Sequence, residues 1–205
     1  QLEKLPEVKY SLAGVQIAET PFYFQNTTEA ANFNYKYGTP TTTADIHQNR
    51  FDTSNKVSRP IRITFINFNP FVMDRFTYYQ KDNEGNYISP RTTFYAGTDA
   101  STKFYRIFDV RTNFLGLDLN GLRHVVTPTL SYSYNHEPTI SKTKLEQIDS
   151  LDSIARSNSV TLELSNKLQT KRDSKNIDFM DFRINSVYSF KPKAGRGSGL
   201  SDILF

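Results

Sequence analysis

The chain of 205 residues contains no cysteine and no tryptophan. The absence of cysteine excludes a disulfide framework, a thiolate nucleophile and a cysteine-ligated metal site. Long apolar runs are also missing, since none approaches the ~18 residues that a membrane-spanning helix needs. The chain can therefore cross a membrane only as a β-barrel, because an open sheet edge leaves backbone groups without hydrogen bonds in hydrocarbon.

Hydrophobic residues are scarce, at 37% of the chain, whereas aromatic residues reach 14%, with 16 Phe and 12 Tyr. Few aliphatic side chains, together with many aromatic and hydroxyl ones, are typical of strands that are covered on one face only. The net charge of +4 is modest and is spread along the chain. A nucleic-acid groove needs a basic cluster with interleaved aromatic residues, so we expect no nucleic-acid partner.

Two runs between residues 159 and 190 alternate between apolar and polar side chains. Val160, Leu162 and Leu164 share one side of the first run, and Met180 and Phe182 share one side of the second. Successive side chains of a strand point to opposite faces. Each run therefore predicts a ribbon with an apolar face and a long ionic face, as in a barrel with lipid outside and a wet lumen inside.

Other strand-like runs occupy most of the chain. They span residues 5–12, 21–37, 48–69, 71–80, 91–110 and 123–135. Gly14 is expected to break a strand and Asn69-Pro70 to break or bend one, and turns are predicted at residues 38–40, at 81–86 and at Asn120-Gly121. The pattern predicts an all-β fold of about eight to ten strands. The sheet is expected to be antiparallel, because short connections cannot join parallel neighbours.

One segment departs from the strand pattern. Its apolar residues recur at every third position: Leu145, Ile148, Leu151 and Ile154. Thr143 and Glu146 have the spacing of a capping box. These features predict a short helix over residues 143–156, inside a long loop.

Residues with catalytic or metal-binding potential are few. None of the histidines, His47, His124 and His136, has a second histidine or a carboxylate at metal-ligand spacing. The glycine-rich stretch at residues 195–199 lacks the Lys-Ser/Thr of a phosphate loop and is interpreted as a turn. The acidic residues of the predicted helix favour a solvated loop face, with cation binding as the alternative. No nucleophile–base pair with an orienting group is visible, so we expect no enzyme activity, no metal and no cofactor.

Charged residues recur on the polar side of the strand-like runs. The candidates for contact with a substrate or with a partner in the lumen are Glu163, Lys167, Lys171, Asp181 and Arg183. Either the sheet has one wet side, in which case these charges are simply solvated, or they line a lumen through which a hydrophilic substrate passes. Lysine and arginine side chains at such positions suit phosphorylated sugars.

Several motifs occur in a characteristic order. They are Leu5-Pro6-Glu7-Val8, Arg50-Phe51-Asp52 followed by Arg59-Pro60, Leu122 to Pro128 followed by Leu130, Tyr132 and Tyr134, and the stretches at 148–168 and 181–190. Together they resemble strands of the outer-membrane lipopolysaccharide-assembly proteins, the LptD or OstA family. The resemblance covers a middle-to-late part of the family's C-terminal barrel, and the family's cysteine pairs are absent.

The resemblance implies that residues 1–205 are a fragment of one antiparallel transmembrane β-barrel domain in the Gram-negative outer membrane. We accordingly expect the chain, which begins at Gln1, to be a piece of a longer protein. The implied function is that of a translocon without catalysis. Lipopolysaccharide arrives from a periplasmic jellyroll bridge, its sugars pass through the polar lumen, and its acyl chains leave sideways into the outer-membrane lipid. A plug lipoprotein inside the barrel is the implied protein partner. The lateral gate lies outside this fragment.

Three other functions are compatible with the alternation. A porin or a ligand-gated transporter would show the same pattern without the ordered motifs. A soluble β-sandwich module that binds carbohydrate would turn its apolar residues toward a second sheet. A membrane-embedded hydrolase would need a Ser/His/Asx set, and none is recognisable in the sequence.

Overall fold

The computed structural model describes residues 2–36, 45–113, 116, 119–172 and 175–190. Strands make up 72% of this part of the chain and form one antiparallel sheet. The prediction of an all-β antiparallel fold with about eight to ten strands is confirmed, since the described residues contain ten strands.

The strands follow one another with few interruptions. In chain order they are β1 (Leu2–Gln16), β2 (Tyr23–Tyr35), β3 (Ile46–Ser58), β4 (Ile61–Ile63), β5 (Ile66–Tyr79), β6 (Arg91–Ser101), β7 (Phe104–Thr112), β8 (Leu119–Asn135), β9 (Ser157–Arg172) and β10 (Lys175–Ser189). The order within the sheet is β1-β2-β3-β5-β6-β8-β9-β10, with β4 paired to β5 and β7 paired to β8. Each long strand therefore pairs with the next one along the chain. Among the described residues, this pairing does not close into a ring.

The described residues group into two compact units. The first falls within residues 1–60, 70–97 and 133–157, and the second within 61–69, 98–132 and 158–205. Each unit contains parts of several strands, and each is described separately below.

Buried side chains in the first unit are mostly polar. In β3, Gln48, Arg50 and Asp52 are 3%, 4% and 2% exposed, whereas the intervening Phe51 is 40% exposed. Antiparallel sheets of soluble proteins show the opposite arrangement, with the apolar face packed and the polar face wet. Strand β3 is therefore inverted relative to a soluble sheet.

Strand β1 is longer than the sequence predicts. It continues through Gly14 to Gln16, so the predicted interruption at this glycine is wrong. The pairing with β2 shifts between Leu12 and Val15 and then resumes. A β-bulge of this kind absorbs an extra residue without ending the strand.

Of the break or bend predicted at Asn69-Pro70, the break does not occur, because β5 runs through Pro70. Proline cannot donate to a ladder, but its carbonyl can still accept. The Pro70 carbonyl accepts from the backbone N–H of Arg59 at 3.0 Å. The interruption falls instead on the neighbouring strand, because β3 ends at Ser58.

The Asn120-Gly121 pair lies inside β8, so no hairpin turn forms at this dipeptide. Gly121 nevertheless has a positive φ of 73°. The pairing of β7 with β8 shifts at this point, between Phe108 and Arg111. The Asn-Gly dipeptide therefore does place a residue with positive φ here, but in a β-bulge and not in a hairpin turn.

The predicted turn at residues 81–86 is confirmed. The backbone N–H of Asp82 donates to the Asn86 carbonyl at 2.9 Å, and Gly85 has a φ of 86°. The Asp82 carboxylate accepts from the backbone N–H groups of Glu84 and Asn86. The predicted turns at residues 38–40 and 195–199 lie outside the described residues.

The predicted helix over residues 143–156 is wrong. This segment contains only a 3₁₀ turn, Lys142–Lys144, followed by irregular turns. Aspartate side chains compete with helical hydrogen bonds by accepting from nearby backbone N–H groups. Asp152 accepts from the N–H groups of Ile148 and Asp149, and this prevents their use in a helix. No helix in the described part of the chain is long and apolar enough to span a bilayer.

We predict that Gly121→Ala destabilises the fold by about 1–2 kcal/mol, because an L-residue pays that amount in the left-handed region. Nothing lies within 4 Å of an added Cβ at this position, so the loss isolates the backbone effect. Urea unfolding followed by circular dichroism measures it. The control is Gly14→Ala, where the φ is ordinary and the nearest atom, Gln25 Nε2 at 3.4 Å, belongs to a flexible side chain. Equal destabilisation by both substitutions contradicts the prediction.

Candidate functional site

One face of the first unit carries a continuous set of polar side chains. In the register of the sheet, Arg50 lies opposite Ala31 on β2 and Tyr79 on β5, and Asp52 lies opposite Glu29 and Thr77. Directly opposed residues point to the same side of a sheet. We call this surface the first polar face. It comprises Glu29, Arg50, Asp52, Thr77, Tyr79, Arg91 and Thr93.

The connection between β8 and β9, residues 136–156, lies on the first polar face, and we call it the covering loop. Arg50 holds it through two N–H groups that donate to Asp149, at 2.9 Å to Oδ1 and 2.6 Å to Oδ2. A third contact joins Arg50 to Asp152 Oδ1 at 3.1 Å. The Arg50 guanidinium also lies over the Phe33 ring, 4.5 Å from its centroid. The planar fork of arginine suits this bidentate geometry.

Asp152 is fully buried, with 0% exposure. A buried carboxylate is costly unless its lone pairs are satisfied. Here it accepts from the Tyr79 hydroxyl at 2.9 Å, from the N–H groups of Ile148 and Asp149 at 2.9 Å each, and from Arg50. These donors compensate the charge and tie the loop backbone to two strands of the sheet.

Arg91 holds the covering loop at a second point. Its guanidinium donates to the carbonyls of Ile140 at 3.0 Å and Leu151 at 2.8 Å, and also to that of Ile154. Nearby, the Asn135 side chain donates to the Ala155 carbonyl at 2.7 Å. Irregular backbone has no ladder to satisfy its carbonyls, so buried side-chain donors replace it. The loop therefore has a defined position on the sheet.

Asp149 is the titratable loop residue whose environment favours its charged form. Partial burial on its own would raise the pKa of the Asp149 carboxyl. The hydrogen bonds and positive charge of Arg50, with a backbone N–H from Leu151, outweigh burial and place the pKa below its ordinary value of 3.8. The Arg50–Asp149 pair is therefore intact at neutral pH.

The opposite face of the same strands is apolar and exposed. Val8, Phe51 and Tyr78 are 65%, 40% and 42% exposed, and Phe94 is 47% exposed. Val8 lies opposite Ala30, Ala30 lies opposite Phe51, and Phe51 lies opposite Tyr78. These side chains form one apolar band across neighbouring strands.

The charged residues predicted from the sequence lie in the second unit, on β9 and β10. The register pairs Lys167 with Asp181 and Ser165 with Arg183. Lys167 Nζ lies 3.3 Å from the Asp181 carboxylate, which also contacts Arg183 at 3.3 Å. The structure therefore brings three of the five predicted residues together.

The same network includes Asp178, which was not among the residues predicted from the sequence. Asp178 contacts Lys167 at 2.9 Å and accepts from the Gln169 amide at 2.7 Å. A register shift between Asp178 and Met180 puts this carboxylate on the side of Lys167. Glu163, opposite Asn185, and Lys171, opposite Asn176, lie outside this network.

The motifs of the sequence did not identify Arg50, Arg91 and Asp152 as the groups that position the covering loop. The interpretation of the acidic segment as a solvated face is wrong for Asp152, which is buried. The available signal was the alternation in β3, which places Arg50 in the same register as Gln48 and Asp52. Within the described residues, no group of three or more His, Asp or Glu side chains is arranged to hold a metal ion.

A search of protein-family models and a search of curated proteins both returned no match to this chain. The resemblance to the lipopolysaccharide-assembly proteins therefore remains a prediction from the sequence motifs.

We predict that Asp152→Ala releases the covering loop. Removing one partner of a buried ion pair costs about 3 kcal/mol, because Arg50 and Tyr79 then lose a shared acceptor. Hydrogen exchange at the amides of Ile148 and Asp149 should accelerate about 100-fold. Ser153→Ala is the control, because this exposed hydroxyl donates only to the Ser150 carbonyl. Unchanged exchange in Asp152→Ala contradicts the proposed anchor.

We predict that lowering the pH releases the covering loop from the sheet. The folded pKa of Asp149 lies below 3.8, so its contribution is fully present above pH 3.8. It is lost as the pH falls through the lower folded value. A nitroxide attached after Ser150→Cys reports this as increased mobility below pH 3.8 and none between pH 3.8 and 7. Loosening that begins well above pH 3.8 contradicts the assignment to Asp149.

Proposed function

We propose that this chain is part of an outer-membrane β-barrel that inserts lipopolysaccharide into the outer leaflet, with sugars passing along its polar face. The observation that carries the proposal is the inverted polarity of the sheet. Gln48, Arg50 and Asp52 are buried, whereas Phe51 and Tyr78 are exposed on the other side. Lipid on the apolar face, and a polar barrel interior that holds the covering loop on the other, account for both.

The energetics favour contact between the apolar face and lipid. Covering a large apolar side chain stabilises a structure by about 1.5–3 kcal/mol relative to leaving it in water. Contiguous apolar surface beyond a few hundred Å² usually marks a protein or membrane contact. The exposed side chains of the second unit include Leu130 at 50%, Leu162 at 54% and Met180 at 49%. Each unit, taken by itself, therefore exposes several large apolar side chains.

Strand length also supports a spanning role. A tilted strand needs about 9–11 residues to cross the hydrocarbon. β2 and β3 each have 13 residues, and β8 and β9 have 17 and 16. Each is long enough to cross the hydrocarbon and extend beyond it at one end.

The polar side chains suit a hydrophilic cargo. Hydroxyl, amide and charged groups on the polar faces can hydrogen-bond sugars or the surface of a plug lipoprotein. Lys167, Asp181 and Arg183 form one such charged group on β9 and β10. Glu163 and Lys171 remain further candidates for contact with lipopolysaccharide or with the plug. The proposal assigns no catalytic step to any residue.

The polarity of the sheet weighs against the soluble alternative. In a carbohydrate-binding β-sandwich, the apolar register would be packed on a second sheet. In the described residues it is exposed, and the polar register carries the covering loop instead. A porin or a ligand-gated transporter shares the inverted polarity, so only a functional measurement separates it from the proposed translocon.

Single-residue labelling tests the membrane arrangement, because the chain has no native cysteine. We predict that nitroxides attached after Leu162→Cys and Phe182→Cys, in the full chain in bilayers, are relaxed by lipid-soluble oxygen. A nitroxide attached after Lys167→Cys should be relaxed by a water-soluble nickel complex instead. A nitroxide attached after Phe51→Cys, on the exposed apolar side of β3, should likewise be relaxed by oxygen. Shielding of Leu162 and Phe182 from lipid, with Lys167 accessible to it, would overturn the proposal.

Two measurements separate a translocon from a pore. Depletion of the protein should reduce lipopolysaccharide in the outer leaflet, which surface labelling of the glycolipid reports. Planar-bilayer recording should show no steady open-channel conductance, because a plug occupies the lumen. Normal surface lipopolysaccharide after depletion, combined with a stable conductance, identifies a porin.

A further inference from the structure

The second unit contains a polar cleft between β7, β8, β9 and β10. Its volume is about 510 Å³, and its lining includes Tyr105, Asn120, Arg123, Gln169, Lys171 and Asn176. Cavities of about 300–1,000 Å³ are the usual size for small-molecule sites. This cleft has room for one or two sugar-sized groups.

Among the described residues that line the cleft, the two charged ones, Arg123 and Lys171, are both positive. The acid closest in the hydrogen-bond network is Asp178, which accepts from Gln169 and is paired with Lys167 at 2.9 Å. The negative charge of Asp178 is therefore already compensated. Within the described part of the chain, neither Arg123 nor Lys171 forms an ion pair.

Arg123 has an incomplete set of partners. Its guanidinium lies over the Tyr105 ring, 4.6 Å from the centroid. This contact orients the planar group and leaves its edge available. The Nε atom is buried and has no hydrogen-bond partner among the described residues. A buried donor without an acceptor costs free energy, so the Arg123 guanidinium keeps unused donor capacity among the described residues.

Neutral groups surround the two cations. Asn120 and Asn176 contribute amides, and Thr170 and Gln169 complete the polar lining. Such groups donate to and accept from hydroxyls without demanding a charge. Tyr105 and Ile107 add an apolar wall of the kind on which a sugar ring packs.

We propose that this cleft binds the phosphate monoester of a phosphorylated saccharide, with Arg123 and Lys171 on the phosphate and the amides on the hydroxyls. A phosphate monoester carries about −1.5 to −2 charge at neutral pH, which matches one arginine and one lysine. A single-stranded nucleic acid would need several stacking aromatic residues, and the described lining residues include one, Tyr105. The proposal deepens the proposed function and rests on it only for the origin of the ligand.

Binding by the full chain in detergent tests the cleft directly, with glucose 6-phosphate, glucose and inorganic phosphate as probes in calorimetric titrations. Glucose 6-phosphate is expected to bind at least tenfold more tightly than glucose, the value of one charge-assisted hydrogen bond. Arg123→Gln and Lys171→Gln should each weaken it at least tenfold. Inorganic phosphate binding as tightly as glucose 6-phosphate overturns the saccharide part of the proposal.

Two matched variants serve as controls. Arg106 also lies over an aromatic ring, that of Phe108, 5.1 Å from its centroid. In the register of β7 and β8, however, Arg106 lies opposite His124, so its side chain points to the face away from Arg123. Lys175 is adjacent to Asn176 in sequence and therefore points to the opposite face. Arg106→Gln and Lys175→Gln should leave glucose 6-phosphate binding unchanged. Equal weakening by cleft and control variants reduces the effect to net charge and overturns the proposal.

A second arm distinguishes a lipid-borne phosphate from a soluble one. Nanodiscs containing a phosphorylated glycolipid, and nanodiscs with the same glycolipid after phosphatase treatment, should compete differently with glucose 6-phosphate. Competition by the phosphorylated form alone supports the cleft and assigns the ligand to a glycolipid headgroup. Competition by neither form assigns it to a soluble sugar phosphate, and equal competition by both overturns the phosphate requirement.

These measurements distinguish a variant that fails to fold from one that fails to bind, and a failure of the cleft proposal from a failure of the proposed function. If Arg123→Gln fails to fold, Lys171→Gln still tests the site, because Lys171 is exposed. If the oxygen and nickel measurements contradict the membrane arrangement while phosphate-dependent binding persists, the cleft stands without the translocon. If the membrane arrangement holds and glucose 6-phosphate does not bind, the cleft proposal alone fails.

Discussion

The buried charge of Arg50 is the interaction on which the first unit depends. A guanidinium in the middle of a strand is stable there only if acceptors reach it, and Asp149 and Asp152 supply them from a distant part of the chain. The pairing places residues 136–156 on the sheet and gives Asp152 its donors. One charge on β3 is therefore coupled to a loop about one hundred residues later, which Tyr79, Arg91 and Asn135 also hold.

The same constraint explains the inverted polarity of the strands. Polar side chains satisfy one another and the covering loop on one face, so the apolar residues point to the other. Phe51 and Tyr78 consequently remain exposed. In the membrane arrangement that we propose, lipid acyl chains would cover this apolar surface.

Much of the fold could be predicted from the sequence, because strand alternation is local. The faces of β9 and β10 follow from period two alone, and the observed pairing of Lys167 with Asp181 agrees with them. The exceptions, at Gly14, Pro70 and Gly121, share one cause. A bulge or a missing donor can be absorbed when the neighbouring strand shifts or ends, and one run of sequence does not show what its neighbour does.

For the candidate site, too, local patterns could be predicted from the sequence, whereas long-range contacts could not. By itself the sequence determined an all-β antiparallel chain, the polar register and its charged residues, since these depend only on neighbours within a strand. Tertiary structure decided the rest. Apolar residues at every third position predicted a helix over 143–156, but buried contacts with Arg50, Tyr79 and Arg91 hold this segment in irregular turns. Those partners come from β3, β5 and β6, and only the pairing of the sheet brings them together.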